Sequence, residues 1–407
     1  MAYQNVGKPR FFIDNYQYLR ALGLNPTDYI GGDIPDNWEG SLTKDNDADK
    51  TPIDNPSAFI LDPTQSKTFV NTANEGLGWG QMRFHIPCGQ YVKDFDFSGN
   101  MKWYTAVLNH NIHDSGTDAG GEVGARFQNI MFMDRIGGGS ETFSEDNFFG
   151  SMTSILNTHA SRYNQENGTS IWFTNLSPSD ILTEEGEDWI PRYAGFQITT
   201  DGNEGENISR LGSFSCGAIS SGVMYTMPYS ADLDLSIDYV SDGYDTRQTK
   251  GGRTFTNIVH SGASSWTHNG KFINPFAVGE YSDSNYLDGA KRVGRKEWTL
   301  RFSYIADKDL FSSNYMMNNY METTDNYDAD DKDSEGKFEY NIFTDDSFVA
   351  QVWNKTLGGA LPFIFQPDST NDNPDQFCLA RLVNDTLEIQ QEAYNTYSIS
   401  VVIQEIW

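Results

Sequence analysis

The segment KRVGRKEWTLRFSYIAD, residues 291–307, alternates Trp298, Leu300, Phe302 and Tyr304 with polar neighbours. A two-residue period puts those four side chains on one side of an extended chain and predicts a strand with one buried face. The segment DLDLSIDYV (232–240) has the same pattern, with Leu233, Leu235, Ile237 and Tyr239 on one face. The two align as Leu235/Leu300, Ile237/Phe302, Tyr239/Tyr304, Val240/Ile305 and Asp242/Asp307. Duplicated strands, or the shared demands of an antiparallel sheet with one buried face, both account for that weak similarity.

Outward from these two segments the chain continues in the same style. QMRFHIP (81–87) carries Met82, Phe84 and Ile86 in alternation, and DFDFSGNMKWYTAVL (94–108) reads as a hairpin about Ser98-Gly99-Asn100. PFIFQ (362–366), QFCLARLV (376–383), TLEIQQEA (386–393) and TYSISVVIQEIW (396–407) are expected to close the fold as strands, with a tight turn at Asn384-Asp385. Helices are few. Asp14 caps an expected first element at NYQYLRAL (15–22), ended by Gly23 and followed by Pro26. Phe148, Phe149, Met152, Ile155 and Leu156 predict a helix over 145–157. DDSFVAQVWNKTLGG (345–359) is a third, with Asp346 as cap, a stripe of Phe348, Val349, Val352, Trp353 and Leu357, and Gly358 as stop. The stretches 31–57, 114–124, 165–188, 200–209 and 323–336 read as polar loops, the first of them as a surface loop or extended arm. The expected fold is mainly β: antiparallel, sandwich- or barrel-like sheets with a few short helices and long polar loops. Three regions are expected: 1–60 as an N-terminal helix and arm, 61–210 as a β-rich domain, and 211–407 as a sandwich-like domain with one amphipathic helix (345–357).

Composition narrows the partners. The chain has 407 residues, 38% hydrophobic and 14% aromatic, so its cores are expected to draw on Phe, Tyr and Trp. A formal net charge of -29 repels nucleic-acid phosphates and anionic lipid. No signal-peptide core and no apolar run of membrane-spanning length is present, so membrane insertion is not expected. Cys88, Cys216 and Cys378 are too few and too scattered for a disulfide framework or a zinc site, and read as buried thiols. The Asn-x-Ser/Thr sites at Asn167, Asn175, Asn207, Asn354 and Asn384 are expected by chance in so Asn-, Ser- and Thr-rich a chain.

Against that acidic background the segment 291–307 concentrates Lys291, Arg292, Arg295, Lys296 and Arg301. A nucleic-acid site would need further clusters along a continuous basic path. Cations guarding an edge strand explain the run blandly. Alternatively they meet an acidic surface, such as 323–336, on a neighbouring subunit, where complementary charge fixes register. Trp79 in GLGWGQ and Trp266 in SSWTHNG are candidate contact anchors, or fold back on their own sheet.

Chemistry-bearing motifs are sparse. HNIHD (110–114) separates two imidazoles by three residues without a third ligand, so polar loop histidines are the default. Asp331, Asp333, Glu335 and Gly336 imitate the start of a calcium loop, but its twelfth position is Ile342. A weakly held structural calcium there competes with a solvated acidic loop; no other cofactor is expected. DFDFSG (94–99) has the same outline with Thr105 at position twelve. No phosphate loop and no Gly-x-Ser-x-Gly elbow is found, and 57 acidic residues single out no carboxylate pair for glycoside hydrolysis.

The stretches YQNVGKPRFFIDNYQYLRALG (3–23), GSFSC…YTMPYSADLDLSIDYVSDG (212–243), KRVGRKEWTLRFSYIADKDLF (291–311) and FQPDSTNDNPDQFCLARLVNDTLEIQQEAYNTYSISVVIQEIW (365–407) resemble virion structural proteins of tailed bacteriophages, particularly marine ones. The resemblance implies a β-rich building block of the particle, tail- or baseplate-associated and arranged in a ring, with no catalytic residues to carry over. It implies copies of the chain and other virion proteins as partners, and synthesis in the host bacterial cytoplasm. A glycan-binding receptor module is the alternative, since exposed Trp and Tyr faces stack on sugars; a capsid- or neck-associated protein and a polysaccharide-degrading tail enzyme rank below it.

Overall fold

A computed structural model describes residues 7–23, 41–44, 50–52, 67–70, 81–87, 99–110, 112, 125–133, 148–157, 168–174, 193–200, 213–240, 244–258, 272–273, 286–287, 294–311, 345–373 and 376–406. The protein is mainly antiparallel β, as expected. One 16-stranded sheet dominates. From one end it runs through β13 (Ser236–Val240), β18 (Arg295–Ala306), β22 (Thr396–Glu405), β20 (Cys378–Leu382) and β19 (Phe363–Gln366). It continues through β1 (Arg10–Asp14), β12 (Ala218–Thr226), β6 (Met101–His110), β9 (Gly168–Thr174) and β8 (Phe148–Asn157). It ends with β7 (Ala125–Met133), β10 (Tyr193–Thr200), β5 (Gln81–Pro87), β2 (Ser41–Lys44) and β3 (Lys50–Pro52), while β21 (Ile389–Ala393) also pairs with β22. Among the described residues three two-stranded sheets are separate: β4 (Lys67–Val70) with β11 (Ser213–Cys216), β14 (Tyr244–Gln248) with β15 (Thr254–Ile258), and β16 (Phe272–Ile273) with β17 (Tyr286–Leu287).

The central strands are buried on both faces. Along β1, Phe11 and Ile13 enter one apolar cluster and Phe12 the other; β12 divides likewise, with Val223 and Tyr225 against Met224. Both clusters mix aliphatic side chains with Phe, Tyr and Trp, the aromatic contribution the composition suggested. Phe11 meets Phe363 and Phe365 at centroid distances of 5.6 and 5.3 Å, and Phe12 lies edge-on to Tyr104 at 5.2 Å. Gly222 on β12 is required by close approach, because a Cβ there would collide with the main chain of Ile13 and Asn15.

Several expectations change. The first ordered element among the described residues is the strand β1, which lies between β12 and β19 near the middle of the sheet. The helix α1 (Asn15–Ala21) follows it as expected, with the Asp14 carboxylate accepting from Gln17 N at 2.8 Å and Gly23 left-handed at its end. The stretch 31–57 is not only loop, since it contributes β2 and β3. Strand pairing also crosses the boundaries expected near 60 and 210: β1 joins β12 and β19, and β12 joins β6.

The helix expected over 145–157 is the strand β8. Its register slips between Ser154 and Leu156, so Ile155 is an extra residue. Met152 therefore packs into one cluster and Leu156 into the other. Their four-residue spacing is a bulge across a two-faced sheet, which periodicity alone confuses with a helical stripe. The expected loop 165–188 contains β9, whose GTSIWFT core is almost wholly buried.

At 345–359 the chain is helical but forms a π-helix over Val349–Asn354, followed by turns. Ser347, not Asp346, sits at its start, its Oγ accepting from Ala350 N at 3.3 Å. Phe348, Val349 and Val352 are buried as the stripe required, whereas Leu357 is exposed and left-handed. A second short helix, α2 (Asp307–Leu310), follows β18.

The turn expected at Asn384-Asp385 does not join two paired strands. β20 and β21 occupy successive stretches of the same β22 edge, and Asn384 fills the gap. Its Oδ1 accepts from Val402 N at 2.6 Å and its Nδ2 donates to Ser400 O at 3.3 Å. The tight hairpin is instead β21–β22, closed by Tyr394 and a left-handed Asn395. For the hairpin expected about residues 98–100, the first arm lies outside the described residues; β6, its second arm, is flanked by β12 and β9.

Candidate functional site

The end of the sheet at β13 and β18 is the candidate site. β18 pairs with β22 on one side and with β13 on the other. Trp298, Leu300 and Phe302 point into the core as their alternation demands, and Trp298 lies 5.3 Å from Phe365. The alternation then breaks: a register shift between Phe302 and Ile305 buries Ile305 and turns Tyr304 outward to 75% exposure. Gly294, left-handed and close to the Val240 carbonyl, lets the chain enter β18 tightly against β13.

β13 begins only at Ser236, because residues 232–235 form a turn fastened to β18. Asp232 N donates to Arg301 O at 2.8 Å, and its carboxylate accepts from the Ser303 hydroxyl. The strands that resembled one another in sequence are direct partners, with Ile237 opposite Trp298 and Tyr239 opposite Lys296. Sequence alternation placed Leu233, Leu235, Ile237 and Tyr239 on a buried face. The structure half-buries Leu235 against the core but leaves Leu233 79%, Ile237 47% and Tyr239 60% exposed. The reason is position: β13 is the last strand of the sheet, and among the described residues β18 is its only strand partner.

The basic run does not form one patch. Arg295 and Arg301 fall on the face of β18 opposite Trp298, whereas Lys296 shares the face of Trp298, its Nζ 6.0 Å from the ring centroid. Lys296 N also donates to Glu405 Oε2 at 2.9 Å, which fastens the start of β18 to the end of β22. Arg301 is exposed. Lys291 and Arg292, the anchors Trp79 and Trp266, and the calcium candidates Asp331, Asp333 and Glu335 lie outside the described residues, as do Cys88, His113 and the acidic stretch 323–336.

A feature not anticipated from the sequence adjoins this edge. After three residues β13 is followed by the β14–β15 hairpin, whose residues 246–257 are all exposed. Thr249 organises its turn, with Oγ1 accepting from Arg253 N at 3.1 Å and its main chain bonding Gly252 and Arg253. Gly252 is left-handed and open. The signal was present: TRQT and RTFT flank Lys250-Gly251-Gly252, a Gly-Gly turn between alternating runs.

Two buried polar clusters are the places to look for chemistry. Asp14 Oδ2 accepts from Ser220 Oγ at 2.6 Å, and Ser220 Oγ is 2.7 Å from Tyr104 OH. Burial pushes the Asp14 carboxyl up to about 6 against the opposing pull of its hydrogen bonds, and raises Tyr104 well above the ordinary phenol range. Every member is buried, so the cluster ties β1, β12 and β6 together. His110, expected in a polar loop, is a buried residue at the end of β6, 3.0 Å from Ser170 Oγ. Its Nδ1 accepts from Ile112 N at 3.2 Å, so a neutral ring carries its proton on Nε2 and donates to the serine. A histidine that activates a serine must accept at that nitrogen, and this geometry points the other way.

Cys216 and Cys378 are buried thiols. Among the described residues, no group of three or more His, Cys, Asp or Glu side chains is placed to hold a metal ion, and no helix is long and apolar enough to cross a membrane. No protein-family model, curated protein or solved structure matches the chain.

Proposed function

We propose that the protein is a structural component of a tailed-bacteriophage particle, a tail or baseplate building block that holds shape through contacts with copies of itself and with neighbouring virion proteins. One observation supports this reading above the others. The four stretches that resemble phage virion proteins are scattered over the chain, yet they contribute β1, α1, β11, the end of β12, β13, β18, α2, half of β19, β20, β21 and β22. Apart from β11, which pairs with β4, these strands are neighbours in space, from β13 through β18, β22, β20, β19 and β1 to β12. A resemblance arising from composition alone has no reason to select neighbours in one sheet. That run ends at the β13 edge, whose exposed Leu233, Ile237 and Tyr239 form the apolar surface an assembly contact needs.

Mass spectrometry of gradient-purified particles tests the proposal. Peptides of this chain in fixed ratio to the other particle proteins are expected. Their absence from particles, with the protein abundant in the infected-cell lysate, would falsify it.

A further inference from the structure

We infer that the β14–β15 hairpin is an intersubunit arm that docks on the β13 edge of a second copy of this chain. Two strands that pair only with each other are marginal in water; among the described residues β14 and β15 do so, and the pair is exposed on both faces, so a further surface is needed to cover it. The hairpin is nonetheless held in shape by its own bonds, including Thr246 to Thr256 at 3.2 Å and Arg247 to Asp245 at 2.8 Å. Its charge is unusual for this protein: residues 244–258 carry Arg247, Lys250 and Arg253 against one carboxylate, in a chain of net charge -29. Arg253 sits 5.3 Å from the centroid of the Phe255 ring, so the cation and a half-exposed aromatic are presented together.

The edge has the complementary chemistry. Residues 230–240 hold Asp232, Asp234 and Asp238; Asp238 stands beside Glu297 of β18 on one face, and Ile237 and Tyr239 are exposed on the other, where Lys296 is opposite Tyr239. Antiparallel pairing of β13 with another β13 would set carboxylates against carboxylates, which disfavours a two-fold contact through this edge. The hairpin brings cations to those carboxylates and Phe255 to that apolar surface. Such a contact joins two different surfaces, so it propagates head to tail and closes into a ring or extends as a filament. The inference takes from the preceding section only that copies meet one another.

Charge exchange tests it on the full-length protein. One variant carries Lys250→Glu and Arg253→Glu, the other Asp234→Lys and Asp238→Lys; mass in solution is followed by sedimentation against concentration and salt. Wild type is expected to self-associate, less so as salt rises. Each variant is expected to melt like wild type but to associate about ten-fold more weakly or worse. An equimolar mixture of the two is expected to recover association, since each reversed surface then finds its complement. A wild type that stays monomeric at every concentration, a hairpin variant that associates normally, or a mixture no better than its components would overturn the contact. Should the edge variant misfold, the hairpin variant decides: a salt dependence equal to that of wild type overturns the inference. A monomeric protein still found in purified particles would refute this contact while leaving the virion proposal standing.

Discussion

Replacing Asp14 by asparagine removes an ionisable group from the centre of the sheet while keeping its shape. In the folded protein the Asp14 carboxyl is fully buried and is raised from 3.8 to about 6, chiefly by desolvation. A carboxyl raised on folding binds its proton more tightly in the native state. Its favourable contribution is therefore complete below pH 3.8 and is lost as the pH climbs through about 6. That difference corresponds to roughly 3 kcal/mol at neutral pH. The asparagine of D14N would still cap α1 through its oxygen, and its amide can donate to Ser220 Oγ in place of the proton Asp14 now accepts. Denaturant unfolding of D14N and wild type from pH 4 to pH 8 should show little difference at the acid end. Toward neutrality the variant should gain by up to about 3 kcal/mol. D14A, by contrast, should lose about 1 kcal/mol or more relative to D14N at every pH, because the cap and the Ser220 partner vanish together. A D14N variant no more stable than wild type at pH 7.5, or a gap that does not change with pH, would refute this account of the buried carboxylate.

Other changes probe the remaining joints. Gly222→Ala forces a methyl into the main chain of β1 and should destabilise by about 3 kcal/mol, read as an earlier denaturant midpoint. Asn384→Ala removes the carboxamide that occupies the β22 edge between β20 and β21 and should cost about 1–2 kcal/mol, with Asn384→Asp losing less because an acceptor for Val402 N remains. Lys355 is fully buried and its ammonium is lowered to about 7 by desolvation. A base lowered on folding opposes stability most below that pH and ceases to do so above its ordinary 10.5. Lys355→Met should therefore stabilise by about 1–4 kcal/mol near neutrality, with the gain shrinking toward pH 10, measured by the same unfolding series.

Local signals carried the reading where local physics rules. The Asp14 cap, the left-handed Gly23 and the alternation into Trp298, Leu300 and Phe302 were legible because a single side chain or a two-residue period decides each. Errors arose where a neighbouring strand decides. The bulge at Ile155 is defined only against β9, so Met152 and Leu156 looked like one helical stripe. Tyr304 is turned out by a register shift defined only against β22. β1 and β9 were overlooked because a short strand buried on both faces shows little alternation. The exposure of Ile237 and Tyr239 was illegible for a different reason: alternation reveals that a face is apolar, not whether another strand or another protein covers it. The basic run was read as one cluster because charge along a sequence ignores the two faces of a strand, which separate Lys296 from Arg295 and Arg301. The cations presented together are on the hairpin, at Arg247, Lys250 and Arg253.

Imaging of the assembled particle, with this chain traced in the density, is the most direct test. Repeated copies around an axis are predicted, with Leu233, Ile237 and Tyr239 of each covered by an adjoining polypeptide. Density in which the β13 edge faces open solvent in every copy, or a particle in which no part accommodates this sheet, would contradict that picture.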